Sequence, residues 1–300
     1  MMKTSTQQLY KERILRVLIF IQQNLSDDLS LDELAKTAHF STYHFHRIFR
    51  GIVGESLKEH IRRLRLERAA MRLKHTEQPV LEIAMDAGYE THEAFTRAFS
   101  VVCGCSPSRF RSSRGVLFKN RTSRVHYQEN GAIKNIKLPS GGKTMDVKIE
   151  KLEPMHVAFM RHVGPYNEVS GDWDKLCTIL GKEGMLGPST KFIGICYDDP
   201  EVTPPEKIRY DACVTADKDF QPQDDIGVQT ISGGEYAVVT HVGPYNKLGK
   251  TYAKLFGQWL PQSGRELRPE PCLEFYLNSP ESTEPKDLLT DIYVSLKPTL

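Results

Sequence analysis

Apolar residues at helical spacing mark two short helices near the start of the chain. Ser30 and Glu33 have the spacing of a capping box, so a helix is predicted to begin there. A tight turn follows, and Ser41 is predicted to cap a second helix. Two short helices joined by a brief turn form the helix-turn-helix pattern. The inward positions are Leu31, Leu34, Ala35 and Ala38 in the first helix and Phe45, Ile48 and Phe49 in the second.

The second helix of this unit also has a polar side, which we expect to face outward. Two imidazoles two residues apart point to different faces of a helix, so His44 and His46 are not predicted to share a metal ion. The outward residues are Tyr43, His44, His46, Arg47 and Arg50.

The same pattern recurs farther along the chain. Pro79 suits a first helical position, Gly88 supplies the turn, and Thr91 is predicted to cap the next helix. Matching residues lie 49 positions apart before the turn and 50 after it, so the second turn is one residue longer. His39 stands where the second unit has Gly88, a position that favours positive φ, and its expected role is structural. The apolar positions of this unit are Val80, Ile83, Ala84, Ala87, Phe95 and Phe99.

A longer helix is predicted between the two units. Leu57, Ile61 and Leu64 mark one apolar stripe, and the helix is expected to run to about Lys74. This helix contains several arginines and is expected to fix the spacing of the two units. The arginines are Arg62, Arg63, Arg65, Arg68 and Arg72.

The second half of the chain contains a duplicated module, marked by the hexapeptide HVGPYN. Each copy has two strand-like runs, a helix with an i, i+4, i+7, i+11 apolar stripe, and two more strands. The predicted strands are 147–152, 156–162, 192–197 and 208–215, then 227–231, 236–241, 272–277 and 289–296. The stripe residues are Val169, Trp173, Leu176 and Leu180, mirrored by Leu248, Tyr252, Leu255 and Trp259.

The two copies differ in length by one residue. Leu176 corresponds to Leu255 at a shift of 79, whereas Pro200 corresponds to Pro280 at a shift of 80. The pattern predicts an α+β architecture in which two helices pack on one eight-stranded sheet, or on paired sheets, about a pseudo-twofold axis. The hexapeptide itself, at 162–167 and 241–246, is interpreted as a shared strand-to-helix joint.

Residues 119–144 lack sustained periodicity, mix charges and end in Pro-Ser-Gly-Gly, which is typical of a linker. A short strand or turn around 132–138 is left open. The expected boundaries are therefore 8–115 for the helical domain, 116–144 for the linker and 145–298 for the duplicated domain.

Charge divides the chain in the same way. Residues 1–130 hold 21 Lys and Arg against 14 Asp and Glu, a net of +7, whereas residues 131–300 hold 19 against 24, a net of −5. The chain has no apolar run that could span a bilayer and no apolar signal core at its start, so we expect a soluble, cytoplasmic protein without a membrane partner. The six cysteines form no C-x-x-C pair, and neither a metal site nor a cofactor is predicted.

A carboxylate among apolar residues marks a candidate ligand site. In 272–277, strand alternation puts Cys272, Glu274 and Tyr276 on one face. At the shift of 80 the counterpart of Glu274 is Gly194, so a structural role common to both copies cannot explain this carboxylate. Because a buried carboxylate is costly unless a cation or hydrogen-bond donors compensate it, a lipophilic cation would gain from binding there.

Aromatic walls would add cation–π attraction to such a site. The candidate ligand-binding residues are Glu274, Tyr276, Tyr293 and Trp173. Trp173 also fits simple core filling, and Glu274 also fits an ion pair with Arg or Lys. Because Tyr166 and Tyr245 are duplicated, a structural role is expected for both.

The helical half resembles the DNA-binding domain of the AraC/XylS family of bacterial transcription regulators. The likeness covers residues 8–115, and four ordered motifs carry it: STYHFHRIFR (41–50), GESLKEHIRRLRLERA (54–69), EIAMDAGYETHEAFTRAFS (82–100) and GCSPSRFR (104–111). The resemblance implies a monomeric domain that places the second helix of each unit into successive major grooves. Matched to the family's motif, the candidate DNA-binding residues are Tyr43, His46, Arg47, His92, Glu93 and Arg97.

The two arginines of this set are predicted to make the specific base contacts. Arg47 and Arg97 each have the geometry to grip a guanine O6/N7 pair, which is worth about 1–3 kcal/mol of discrimination. A phosphate contact, or a salt bridge within the domain, is the alternative for each. Glu93 would have to accept from cytosine N4, since a carboxylate is otherwise repelled by phosphates, and an uninvolved Glu93 is equally compatible.

The duplicated half resembles the GyrI-like effector-binding domain. HVGPY before the helix, YDACV (210–214) and PCLEFYLNSP (271–280) carry a likeness over about 145–298, and a pocket glutamate in this strand is what GyrI-like ligand sites use. Together the two halves resemble the Rob-type branch of AraC/XylS regulators.

The leading hypothesis is a regulator, not an enzyme, that binds double-stranded promoter DNA and senses an amphipathic, cationic small molecule. Contacts with RNA polymerase are a further expectation. One alternative is hydrolysis of small reactive molecules, as in some GyrI-like domains, with Glu274 near Tyr276 as general base. The other is a C-terminal half that acts only as an interaction platform and binds no ligand.

Overall fold

The computed structural model describes residues 6–113, 123–127, 133–137, 145–223 and 225–299. Helices fill the first of these ranges, and they include both predicted helix-turn-helix units and the long helix between them. The first unit consists of α2 and α3 and the second of α5 and α6. The helices are α1 (Thr6–Gln23), α2 (Leu31–Thr37), α3 (Thr42–Val53), α4 (Leu57–His75), α5 (Val80–Asp86), α6 (His92–Cys103) and α7 (Pro107–Ser112).

The predicted helix starts are correct, with differences in detail. The Ser30 hydroxyl accepts from the Glu33 N–H, and the Thr91 hydroxyl accepts from the Ala94 N–H. Ser41 precedes α3 without a side-chain cap bond, and Pro79 lies one residue before α5 instead of inside it. The turn residues His39 and Gly88 both have positive φ, 52° and 82° respectively, as their matched positions predict.

The segment predicted as a linker contains a small antiparallel hairpin of β1 (Val125–Tyr127) and β2 (Ile133–Ile136). Val125 and Ile136 are buried against the first unit. The Arg124 N–H donates to the Val53 carbonyl at 2.7 Å, at the end of α3. The described part of this segment is therefore packed structure, whereas the domain boundaries on either side remain predictions.

The C-terminal half forms one eight-stranded antiparallel sheet, which settles the choice between a single sheet and paired sheets. The spatial order is β3-β8-β10-β9-β5-β6-β4-β7. The two copies therefore pair at the centre through β9 and β5, and the first strand of each copy also pairs with the other copy, β3 with β8 and β7 with β4. The strands are β3 (Lys148–Leu152), β4 (Met155–Val163), β5 (Phe192–Cys196), β6 (Arg209–Thr215), β7 (Ile226–Ile231), β8 (Gly234–Val242), β9 (Cys272–Tyr276) and β10 (Leu289–Ser295).

Helices from the two copies pack on the same face of the sheet. The first copy has a regular helix, α8 (Ser170–Lys182). In the second copy, α9 (Leu248–Lys254) passes through a π-helical turn at Leu255–Trp259 into α10 (Leu260–Gln262). A π-turn holds one residue more than the α-helix it interrupts. It lies within the interval in which the shift between the copies changes, since Leu255 matches Leu176 at 79 and Pro280 matches Pro200 at 80.

The pseudo-twofold axis passes between Gly194 and Glu274, which are direct partners in the β5–β9 ladder. A Cβ on Gly194 would lie 2.6 Å from the Tyr210 hydroxyl and 2.7 Å from the Tyr276 hydroxyl. The symmetric position therefore has to be glycine, because phenols occupy the space in which its side chain would stand.

The HVGPYN motif is a structural joint in both copies. Nδ1 of His162 lies 2.7 Å from Asp172, and Nδ1 of His241 lies 2.8 Å from Thr251, in each case tying the end of a strand to the following helix. The other ring nitrogen of each histidine lies 3.2 and 3.4 Å from a proline carbonyl of the same motif. This confirms that the repeated hexapeptide builds the scaffold.

The apolar core does not follow the division into two domains. The first unit shares one continuous core with the second copy of the sheet domain, in which Phe45 and Phe49 belong to the same cluster as Phe256 and Ile292. The second unit has a separate core around Phe95, Phe99 and Phe110. In the described residues, the first helix-turn-helix unit therefore shares its core with the C-terminal half, whereas the second unit does not.

Candidate effector site and DNA-reading helices

Glu274 lies under the helices on the central strand β9 and is only 7% exposed. The Tyr252 hydroxyl donates to Oε1 at 2.8 Å, and the Tyr276 hydroxyl donates to Oε2 at 3.0 Å. Burial raises the pKa of both tyrosines well above their ordinary value, so both remain neutral donors. Each carboxylate oxygen is thus held by one phenol.

An aromatic layer extends from Glu274 to the other copy. The Tyr210 and Tyr276 hydroxyls lie 3.0 Å apart, and Nε1 of Trp173 donates to the Tyr210 hydroxyl at 3.1 Å. The rings of Trp173 and Tyr276 meet edge to face at 5.8 Å, and those of Tyr245 and Tyr276 at 5.4 Å. The structure therefore brings together three of the four predicted ligand residues, namely Glu274, Tyr276 and Trp173.

Tyr293 requires a correction. It pairs with Leu273 in the β9–β10 ladder, and so lies on the face of the sheet opposite Glu274. Its ring packs on Phe275 at 4.4 Å, and its hydroxyl donates to Glu150 at 2.9 Å. Tyr293 is part of the second apolar layer of the sheet and is not a wall of the Glu274 site.

Two further residues of the site, Tyr252 and Tyr210, are not among the predicted ligand residues. Tyr252 had been identified only as part of the helix stripe. The sequence contains evidence for a role of Tyr252, because the first copy has Trp173 at the corresponding position. The two copies therefore differ there, as they do at Glu274 and Gly194. Tyr210 lies in the YDACV motif, and its contact with Tyr276 depends on how the two copies meet.

The polar side of α3 does not face outward, which corrects a second expectation. His44 and His46 are each 1% exposed and Arg47 is 7% exposed, because α3 packs against the helices and strands that enclose Glu274. Its apolar side faces the core of its own unit, as predicted. Both sides of the helix are therefore covered.

Arg47 reaches into the site itself. Its guanidinium carbon lies 4.6 Å from the centre of the Tyr252 ring, and Nη1 lies 3.3 Å from Sγ of Cys272. The distance from Nε to the carboxylate of Asp199 is 3.9 Å. Burial works against the charged form, but Cys272, Tyr252 and Asp199 hold the pKa of Arg47 well above its ordinary value.

Polar pairs surround this contact. Nδ1 of His46 lies 3.0 Å from Asp199, Arg50 pairs with Glu201, and the rings of Tyr43 and Tyr197 meet at 6.2 Å. Burial raises the pKa of Asp199, but the hydrogen bond from His46 and the charge of Arg47 outweigh it and hold that pKa below the ordinary value.

His46, Asp199 and Glu201 bring three potential metal-ligand atoms within 4.8 Å of one another. Arg47 and Arg50 face the two carboxylates, so ion pairing accounts for this grouping without a metal.

Two glycines set how closely α3 approaches. A Cβ on Gly51 of α3 would lie 2.6 Å from the backbone nitrogen of Gly257, and a Cβ on Gly257 would collide with the Gly51 carbonyl. Gly257 lies in the π-helical turn. The contact is therefore backbone against backbone and leaves no room for a side chain on either residue.

The second recognition helix has a different environment. His92, Glu93 and Arg97 on α6 are all exposed, while Phe95 and Phe99 face the core of the second unit. Of the six candidate DNA-binding residues, the three on α6 are thus open to solvent, and the three on α3 lie against the C-terminal half.

Comparison with known proteins agrees with this architecture. A family described as GyrI-like small molecule binding domain matches residues 145–297, and a helix-turn-helix domain family matches residues 34–113. The probable transcriptional regulator YgiV of Escherichia coli K12 is 36% identical over 51% of this chain and 97% of its own length. The chain is an AraC-type transcription regulator with a GyrI-like domain.

Further similarities cover one half of this AraC-type regulator at a time. The transcriptional activator AarP of Providencia stuartii is 38% identical over 33% of this chain and 74% of its own. The crystal structure of the EcmrR C-terminal domain is 18% identical, with a TM-score of 0.43, over 52% of this chain and 99% of that one. In the described residues of the regulator, no helix is both long and apolar enough to cross a membrane.

Proposed function

We propose that this regulator senses an amphipathic cation at Glu274 and couples its binding to promoter recognition. The observation that carries the proposal is the pairing of Glu274. Its oxygens accept from two neutral phenols, and among the described residues no cationic side chain forms an ion pair with it. A buried carboxylate without a counter-cation favours a cationic ligand, and the rings of Tyr252, Tyr276 and Trp173 favour an apolar one.

DNA binding is proposed to use the second helix of each unit. Tyr43, His46 and Arg47 on α3, and His92, Glu93 and Arg97 on α6, are the proposed contacts, with the two arginines reading base edges. The basic charge of this half supports attraction to the phosphate backbone. We also propose that the DNA-bound regulator contacts RNA polymerase.

Tetraphenylphosphonium and tetraphenylborate test the charge preference, since they have nearly the same shape and opposite charge. We expect the cation to raise the melting temperature of the full chain and the anion not to. Glu274→Gln should weaken cation binding by at least about tenfold, which corresponds to about 1.4 kcal/mol. Glu150→Gln, on the opposite face of the sheet, is the matched control and should bind as wild type does. Equal binding of both ions, or no effect of Glu274→Gln, would contradict the proposal.

The DNA role is tested on a site selected by the full chain from random-sequence DNA. Arg97→Ala should weaken binding to that site by about 1–3 kcal/mol, and affinity should fall steeply with salt concentration. Glu274→Gln should leave DNA binding without ligand intact. Loss of DNA binding in Glu274→Gln would contradict the assignment of DNA binding to the helical half and of ligand sensing to the sheet domain.

We infer a sensing role for Glu274 and not a catalytic one. Both oxygens of Glu274 accept from the phenols of Tyr252 and Tyr276, an arrangement that fixes the carboxylate beside the aromatic rings and suits the binding of a cation. Incubating the full chain with a strained cyclopropane electrophile should give no turnover. Turnover that is lost in Glu274→Gln would reverse this inference.

A further inference from the structure

Arg47 is a buried cation whose nearest polar contacts, the Cys272 thiol and the Tyr43 carbonyl, carry no charge. It contacts the face of the Tyr252 ring and the Cys272 thiol, whose pKa burial raises to about 11, so the thiol is neutral. Its carboxylate neighbour Asp199 is 3.9 Å away and is already bound to His46. A guanidinium over an aromatic face, next to a neutral thiol, is a setting that would equally suit a lipophilic cation from outside.

The groups that hold Arg47 are also those of the proposed effector site. The face of Tyr252 contacts Arg47, whereas the hydroxyl of the same ring donates to Glu274. Cys272 and Glu274 are two residues apart on one face of β9, a separation of roughly 7 Å along a strand. An amphipathic cation paired with Glu274 would therefore need the aromatic surface that Arg47 occupies, and it would place a second positive charge beside the guanidinium.

We propose that Arg47 is the resident cation of the effector site, so that helix α3 and an incoming cation compete for the same aromatic face of Tyr252. With α3 docked, the arginine proposed to read DNA is inside the sensor domain, and only α6 is free to meet DNA. An effector that displaces Arg47 releases α3, and the second DNA-reading helix becomes available. This inference rests on the proposed function, since it requires both a cation site at Glu274 and a DNA role for α3.

The competition has a reciprocal consequence. If the effector raises the affinity for DNA by a given factor, DNA must raise the affinity for the effector by the same factor. The size of that factor is limited by the difference in effector affinity between the docked and the released states.

The test is a calorimetric titration of tetraphenylphosphonium into the full chain as wild type, Arg47→Ala, Glu274→Gln and the double variant. Arg47→Ala should bind the cation about tenfold more tightly than wild type, within the range expected for a desolvated cation–π contact that the arginine no longer makes. Glu274→Gln should weaken binding in both backgrounds. Arg47→Lys should fall between wild type and Arg47→Ala, because an ammonium keeps the charge but stacks less well on the ring.

The outcomes separate the two proposals. If every variant binds the cation, Glu274→Gln weakens it and Arg47→Ala does not strengthen it, the competition is refuted while the sensing role stands. If no variant binds the cation, both proposals fall. If Arg47→Ala binds more tightly and Glu274→Gln binds more weakly, both are supported.

A second variant separates release of α3 from the mere loss of one side chain. Gly257→Ala alters none of the residues around Glu274, but its new Cβ would collide with the Gly51 carbonyl and displace α3. It should tighten cation binding, and it should tighten binding to a DNA site selected by this same variant, each by about tenfold relative to wild type. Unchanged affinity for both, in a Gly257→Ala chain with a wild-type circular dichroism spectrum, would overturn the proposal.

Discussion

The two recognition helices are alike in sequence pattern and opposite in environment. Each has 12 residues and ends at a glycine in the left-handed conformation, Gly54 after α3 and Gly104 after α6. Nine residues of α3 are buried, against three of α6. Packing within the helix-turn-helix unit explains the three buried residues of α6. Docking against the sheet domain explains the additional buried residues of α3. Whether a polar helix face meets water, DNA or protein is therefore decided outside the unit to which it belongs.

The largest expected effect concerns the separate cores of the two units. Phe99→Ala removes a fully buried ring from the core of the second unit and should lower its stability by about 3–5 kcal/mol, leaving the first unit and the sheet domain unaffected. Phe49→Ala should instead destabilise the first unit and the sheet domain together, since these share a core. Hydrogen exchange across a denaturant series measures both. Equal loss of protection throughout the chain in both variants would show that the two units are not independent.

The next effect concerns the glycine contact between α3 and the π-helical turn. Gly257→Ala should weaken docking by about 1–3 kcal/mol, the usual cost of forcing an atom into a packed contact. Carbethoxylation of histidines reports it, because His44 and His46 are buried whereas His92 on α6 is exposed in the same chain. In wild type His92 should react alone among these three, and in Gly257→Ala all three should react.

Gly249→Ala is the matched control for this variant. Gly249 lies on α9, two turns before Gly257, and a Cβ there would meet nothing within 4 Å. Its histidine reactivity should equal that of wild type. If it exposes His44 and His46 as Gly257→Ala does, a general change in the helix and not the collision with Gly51 would be responsible.

Acidification should loosen α3 without affecting α6. Burial, with a smaller effect of Arg47, lowers the pKa of His44 to about 3. Released from the interface, His44 would bind a proton below its ordinary pKa of about 6.5, whereas docked it stays neutral until about pH 3. Docking is thus strongest above about pH 6.5 and weakens as the pH falls, by about 2 kcal/mol at pH 5.

The measurement is the radius of gyration by X-ray scattering between pH 7 and pH 5, with His44→Phe as the comparison. The wild type should expand on acidification, and His44→Phe should not. At the same contact, Cys272 has a raised pKa and Asp199 a lowered one, so neither titrates in this window. His46, which pairs with Asp199, is present in both proteins, so its contribution cancels in the comparison. Identical expansion of the two proteins would assign the pH dependence to other groups.

The smallest expected effect concerns the rim of the interface. Arg50 and Glu201 form an ion pair whose side chains are 42% and 33% exposed, so Glu201→Gln should change docking by less than about 1 kcal/mol. Reactivity of His44 should remain close to that of wild type. If Glu201→Gln exposes His44 as fully as Gly257→Ala does, rim charges and not packing hold α3 in place.

Much of the fold could be predicted because it depends on local periodicity. The eight strands of the sheet and the helix stripes follow from alternation and periodicity, and the shift between the copies identifies Gly194 as the counterpart of Glu274. The position of Tyr293 was missed although strand alternation bears on it, since its face depends on the register of β10 against β9. Comparison of the copies was therefore most reliable for residues on the two strands that meet at the axis.

The docking of α3 could not be predicted from the sequence. A face that carries Tyr43, His46 and Arg47 has the same polarity whether it meets phosphates or a pocket with Asp199 and Tyr252. The partners lie more than 150 residues away along the chain, and their approach depends on backbone contact at Gly51. No periodicity within α3 encodes that contact.

The π-helical turn is a point at which the helices of the two copies differ in backbone conformation. A single inserted residue distinguishes the backbone of the helix that receives α3 from that of the corresponding helix in the first copy. Deleting one residue between Leu255 and Trp259 should convert the π-helical turn to regular α-helix and remove the contact surface for Gly51. Sensitivity to effector could thus be tuned in evolution or in engineering through the length of one helix, while the chemistry of recognition is left unchanged.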